Sequence, residues 1–370
     1  MNKPRQSGIE LLKIFAILMI ILAHSVQTFT NFIDIHSPSS NYRNVLMNLM
    51  LYGGQLGNDI FLVCSSFFLL KSSRAKPEKA VNLLLDSQSI SILMFLLVTG
   101  VAAALSLPLN TQNSLRFYVS QAFPNLFVQV WFVPAYVILY LIHPALNLII
   151  KSINHKIHLC ICVVILIIYG LFGYVNDTPF YSQLLAVISI YLCSGYVFTY
   201  CSNFCEKLKK NIYFTLGTIL AFIIVYVLNN YAGLRFGHQI KYANFSRMLS
   251  IFNLCFAIGS FNCFRHLKFK NRIINYISSL TLFIYCIHQN RLIVLHIRPL
   301  FVEKTIGFFN NNFLVCSLIL FAVVAVVSFI LAVIYKETVH RLTAKLSVKI
   351  KDFVSKILDK LVAFNNKREN

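Results

Sequence analysis

Near the start of the chain an apolar run carries three ionisable side chains, Glu10, Lys13 and His24. At 100° per residue the eleven steps from Lys13 to His24 turn about 1100°, which leaves both side chains within roughly 20° of one helix face. Glu10, three residues before Lys13, shares that stripe. A rise of 1.5 Å per residue puts about 16 Å between Lys13 and His24 along the axis. One face therefore carries an acid–base pair at one membrane boundary and an imidazole deep toward the other. Ionisable groups in a bilayer cost free energy unless they are paired or used, so the stripe is a functional expectation. A neutral imidazole beside a hydroxyl is the usual general base for acyl transfer. The bland alternatives are a packing hydrogen bond for His24 and a lysine that snorkels to the headgroups.

Further chemistry-bearing residues fall in other apolar runs. Asp59 lies in the second, as a partner for His24 or for another buried polar group, with Ser65 six residues on. In a later run Thr281, Tyr285 and His288 stand at i, i+4 and i+7, hence on one face, with Arg291 three residues further. These residues predict a polar lining; helix–helix hydrogen bonding is the competing reading. Lys71, Arg74, Lys76 and Lys79 cluster in one loop, and clustered cations suit phosphates, although loop lysines also arise from membrane topology alone. Trp131 reads as an interfacial anchor. Cys201 and Cys205 lack the second ligand pair that tetrahedral zinc requires, so no metal is expected.

The elements that must position these groups are membrane helices. Hydrophobic residues make up 58% of the 370 and charged residues 12%, far below a soluble domain. Windows of about 20 apolar residues predict ten spans: 9–29, 46–70, 90–109, 126–150, 159–175, 180–200, 212–228, 248–264, 277–297 and 313–335. The fold class expected is an all-α polytopic bundle. With the N-terminus inside, 24 of the 33 Lys and Arg fall in cytoplasmic segments, so both termini are expected there. The net charge of +21 then reflects orientation and anionic lipid, and no nucleic-acid partner is invoked. Residues 1–336 form the expected transmembrane domain. Residues 337–370 form a basic amphipathic tail with Val339, Leu342, Leu346, Ile350, Phe353, Ile357 and Leu361 on one face, suited to the membrane surface. The N-terminal run reads as a retained anchor, too long for a cleaved leader.

Four of these segments resemble the bacterial integral-membrane acyltransferase-3 family. The first helix has the family's basic residue and histidine separated by ten residues, with Lys13 where the family usually has Arg. Gly57-Asn-Asp59 and the following Phe-rich run resemble a second motif, with Ser66 in place of a glycine. Trp131-Phe through Asn147 resembles a third. Thr281-Leu-Phe-Ile-Tyr285-Cys-Ile-His288 resembles a fourth, and Lys71-Ser-Ser-Arg74 is a loose echo of a basic pair.

The resemblance implies a bundle of about ten helices around a cavity in the bacterial cytoplasmic membrane. It implies transfer of an acyl group, most often acetyl from acetyl-coenzyme A, to a hydroxyl of a surface polysaccharide or its lipid-linked precursor. His24 would be the catalytic base, with Lys13 and Glu10 completing the catalytic set. Asp59, Ser65, Tyr285, His288 and Arg291 would bind substrate, and Lys71 and Arg74 would bind the donor phosphates. The pantetheine arm is about as long as the Lys13–His24 spacing. Rival readings are a polysaccharide polymerase or flippase, another polytopic transporter, and a bis-histidine haem protein using His24 and His288.

Overall fold

The structure, a computed structural model, describes residues 6–30, 32–34, 37–106, 119–120, 123, 131–171, 183–237, 248–309 and 312–366. Helix is the only regular structure among them. The first half comprises α1 (Ser7–Gln27), α2 (Tyr42–Leu51), α3 (Gly53–Leu69), α4 (Pro77–Ala104), α5 (Phe132–Ser152) and α6 (His155–Ile165), which runs into a π turn. Then come α7 (Gln183–Tyr200), α8 (Leu208–Phe236), α9 (Ile251–Arg265), α10 (Arg272–Ser278) and α11 (Thr281–His288). A second π turn, Ile293–Ile297, leads into α12 (Arg298–Ile306), followed by α13 (Phe313–Thr338) and α14 (His340–Asn366).

α1 is the central post, contacting α2, α3, α9, α10, α11 and α13. Its Leu12, Ala16, Ile17, Ile20 and Ile21 are fully buried. The α1–α3 approach depends on small residues, because apolar helices in lipid associate by close packing rather than by escape from water. A Cβ on Gly57 would lie 2.6 Å from both the Ala16 carbonyl oxygen and Ile20 Cγ1. Gly53 and Gly54 bring the same helix against Met19 and Ala23. Ser66, at the position where the resembling motif has glycine, is buried and donates to the Leu62 carbonyl at 2.7 Å, so its hydroxyl is satisfied within the helix. Asn147 of α5 donates to the carbonyls of Leu69 and Ser72 at 3.0 and 2.9 Å and accepts from Tyr191 of α7. It thereby covers the open carbonyls at the end of α3 and fixes the loop that follows.

Among the described residues six helices are long and apolar enough to cross a membrane: α1, α4, α5, α7, α8 and α13. A seventh crossing is available if α10–α11 and the segment Ile293–Ile306, bent by 62°, count as one broken span. The expected span 46–70 is divided at Tyr52 into α2 and α3. α4 begins at Pro77, thirteen residues before the apolar window, because proline suits the first turn of a helix and Ser, Asn and Asp side chains find partners inside the bundle. The expected outer loop 229–247 is helical as far as Phe236. The expected spans 126–150, 159–175 and 180–200 lie partly outside the described residues, as does the loop 110–125.

The start of α1, the end of α7 and its following turn, the link between α9 and α10, and the end of α13 meet at one end of the bundle. Ser7 donates to Asn275 at 2.9 Å, Arg265 donates to the Cys205 carbonyl at 2.9 Å, and Tyr276 donates to Glu337 at 3.0 Å. At the same end Asp86 of α4 is buried and accepts hydrogen bonds from Tyr335, Thr343 and Asn82, with His340 Nδ1 at 3.0 Å. That carboxylate pins the first turn of α14 to the bundle, so the amphipathic tail is docked at its start.

Candidate active site

The site is built where the end of α11 meets α1. His24 Nδ1 lies 3.2 Å from His288 Nε2, with ring centroids 5.4 Å apart. His288 is fully buried and its Nδ1 lies 2.8 Å from the Ile284 carbonyl, four residues back on its own helix. A carbonyl only accepts, so this contact puts the His288 proton on Nδ1 and leaves Nε2 as the acceptor. The Gln289 side-chain amide touches both rings. Among the described residues His24 Nε2 has no hydrogen-bond partner, and His24 itself is only half-buried.

α11 stops at His288 because the chain breaks there. Asn290 accepts from Leu292 N at 3.1 Å, and the π turn then redirects the backbone. A helix end inside a bilayer exposes carbonyls that water cannot reach. Arg298, at the start of α12, answers this: Nη2 donates to the His288 carbonyl at 2.6 Å and Nη1 to the His24 carbonyl at 3.2 Å. Only 3% of its surface is exposed. The guanidinium fork thus straps α1 to α11 at the two histidines.

Below the histidines a cavity of about 160 Å³ is lined by Lys13, Ser65, Tyr136, Phe132 and Tyr285, among others. Tyr285 stands edge-on to His288 at 5.6 Å between centroids, linking cavity and imidazole pair. A larger cavity of about 630 Å³ shares Lys13, Ser65, Leu83 and Tyr136 with the first and extends to Lys79, Asn82 and the tail residues Ala344, Ser347 and Val348. Lys13 is at the junction, its ammonium 2.7 Å from Glu10 Oε2 but off the hydrogen-bond direction. The stripe on α1 therefore runs from a polar vestibule to the histidine pair.

Of the residues expected from sequence, the structure brings His24, His288 and Tyr285 together at one level, and Glu10, Lys13 and Ser65 at the other. Asp59 is fully buried and accepts from Leu249 N at 3.3 Å, not from His24. Arg291 is exposed and contacts neither histidine. Lys71 lies over the Phe67 ring at 3.8 Å, and neither it nor Arg74 lines the two cavities that hold Lys13. Arg298, Gln289 and Tyr136 were not anticipated. Arg298 falls just past the apolar window and reads as an outer-loop cation; only the bend after His288 turns it back. A haem between His24 and His288 is incompatible with their contact, since two metal–nitrogen bonds of about 2 Å need a wider gap.

A membrane-embedded helix bundle with paired imidazoles above a polar vestibule is an intramembrane site equipped for proton transfer. The chain belongs to the acyltransferase-3 family: that family's model, described as an acyltransferase domain, matches residues 6–335. Its activity is accordingly of acyltransferase type. No curated protein and no solved structure matches it.

Proposed function

We propose that the protein is an O-acyltransferase that moves an acyl group, most simply acetyl, from an acyl-coenzyme A to a hydroxyl of a surface glycan or its lipid-linked precursor. The observation that carries this reading is the His24–His288 contact. His288 is committed to Ile284 through Nδ1, so in this reading its Nε2 takes the proton of His24 Nδ1. The Gln289 amide, whose nitrogen is placed against both rings, is assigned with its oxygen and nitrogen exchanged so that the oxygen accepts from that same proton. His24 Nε2 then carries the free lone pair. In the reaction it accepts the proton of the acceptor hydroxyl as that oxygen attacks the thioester carbonyl. The C–S bond breaks, and the coenzyme A thiolate leaves and takes up a proton.

The remaining residues position and bind. Arg298 holds the two histidine backbones in register, and His288 fixes the tautomer of the base, a positioning role. Lys13, paired with Glu10, sits where the donor's arm would pass from the vestibule toward Tyr285. Ser65, with Asn58 and Phe61, shapes the α3 wall of that path, and Asp59 is buried behind it against Leu249 N. In this reading both termini and the basic end of the bundle are cytoplasmic, ten membrane passes are made, and the tail from residue 337 rests on the inner surface of the bacterial membrane. The test is transfer of radiolabelled acetyl from acetyl-coenzyme A to cell-surface glycan by the protein in proteoliposomes. Label appearing in alkali-labile ester on glycan is expected; no transfer from any acyl-coenzyme A would contradict the proposal.

A further inference from the structure

A third cavity, of about 530 Å³, opens at the basic end of the bundle beside the Lys13 vestibule, away from the histidine pair. Three separate segments deliver basic side chains to it: Arg272 from the start of α10, Lys336 from the end of α13 and His340 from the start of α14. Lys336 is held in place, its ammonium 2.5 Å from Ser279 Oγ and 3.9 Å from the Tyr276 ring centre. His340 turns Nδ1 toward Asp86, which leaves the opposite edge of its ring for a ligand.

Two carboxylates stand nearby and both are engaged by other groups, Asp86 lining the cavity itself in an ion-pair contact with His340. Asp86 already accepts from Asn82, Tyr335 and Thr343 besides its contact with His340. Glu337 is taken by Arg341 at 2.7 Å and by the Tyr276 hydroxyl. Arg272 has no ion pair or hydrogen bond among the described residues. Lysines that merely obey membrane topology point into solvent from separate loops. Here basic side chains from distant parts of the chain converge on one concave space with room for more than a single ion.

We propose that this cavity is a phosphate-binding site formed by Arg272, Lys336 and His340. A phosphate offers several acceptor oxygens, which a guanidinium and an ammonium recognise in complementary ways. Two sources can supply it: the headgroup of an anionic phospholipid at the membrane surface, or a soluble nucleotide phosphate. The second is reachable because the cavity shares Asn82 and Leu83 with the Lys13 vestibule. The proposal concerns binding and stands whether or not acyl transfer is found.

The test uses the full chain in neutral phosphatidylcholine nanodiscs. One arm titrates adenosine 3′,5′-bisphosphate by calorimetry; the other measures phosphatidic acid retained at low mole fraction by native mass spectrometry. Arg272→Gln with Lys336→Gln should weaken whichever probe binds by about tenfold or more, the worth of one or two charged hydrogen bonds. Lys336→Arg should restore most of that binding. Lys349→Gln with Lys356→Gln, which removes two exposed tail charges away from the cavity, should leave it nearly unchanged. Binding of the bisphosphate identifies the soluble source, and binding of phosphatidic acid alone identifies the lipid. Failure of the wild type to bind either probe, or equal losses in the cavity and tail variants, would overturn the site.

Discussion

His288 Nε2 lies 3.2 Å from His24 Nδ1 across 264 residues of sequence. Because the other nitrogen of His288 faces a carbonyl, the proposed mechanism gives this contact a direction and makes the second nitrogen of His24 the basic one. His288→Gln should therefore keep the protein folded and reduce acyl transfer less than loss of His24, since a glutamine side chain offers an acceptor without the same geometry. Turnover measured for both variants at equal abundance checks the order.

Arg298 closes the end of α11 and holds α1 to it. Arg298→Met removes two charged hydrogen bonds, each worth about 1.5–3 kcal/mol, and takes its donor from the buried His288 carbonyl, whereas the His24 carbonyl keeps the Thr28 hydroxyl at 3.1 Å. A clear fall in Tm is expected in detergent, with activity lost as well. Arg298→Lys should recover only part of the stability, because one ammonium cannot span both carbonyls as the fork does.

Lys13 and Glu10 separate two roles. If Lys13 guides the donor, Lys13→Arg should keep most activity and Lys13→Met should lose it. Adding Glu10→Gln to Lys13→Met removes the uncompensated carboxylate and should restore protein abundance without restoring transfer. Recovery of both abundance and transfer would make the pair purely structural.

Gly57 sets the distance between α1 and α3. Gly57→Leu should push the helices apart, costing about 1–3 kcal/mol or more through overpacking, and should lower Tm. Gly100→Ala, at a position with open space around it, is the control and should be neutral.

Asp86 ties the tail to the bundle. Asp86→Ala should free the start of α14, seen as faster protease cleavage within 340–357, because Thr343, His340 and Tyr335 lose their common acceptor. Unchanged cleavage would show that apolar packing alone docks the helix.

The first helix was legible in the sequence because its message is local: the spacing of Glu10, Lys13 and His24 fixes a stripe without reference to any neighbour. Tyr285 and His288 were legible for the same reason, as residues of one helical face. Their meeting with His24 was not, since hydropathy windows carry no information on which helices touch. Arg298 was hidden by the break after His288, which returns to the interior a residue that the apolar window leaves outside. The same limit explains Asp59, whose partner is a backbone amide, Leu249 N, that no side-chain pattern reveals. Long apolar runs marked the six helices that are long and apolar enough to cross a membrane, but a window reads the division at Tyr52 as continuous helix because the residues on either side are equally apolar.

The central claim is that His24 is the base, and the most direct measurement is acyl transfer by His24→Ala reconstituted at wild-type abundance. A positioned general base contributes about 10²–10⁴-fold, so the variant should lose at least two orders of magnitude in turnover while its membrane insertion and Tm stay near those of the wild type. Transfer at the wild-type rate by the folded variant would remove His24 from the chemistry and contradict the account.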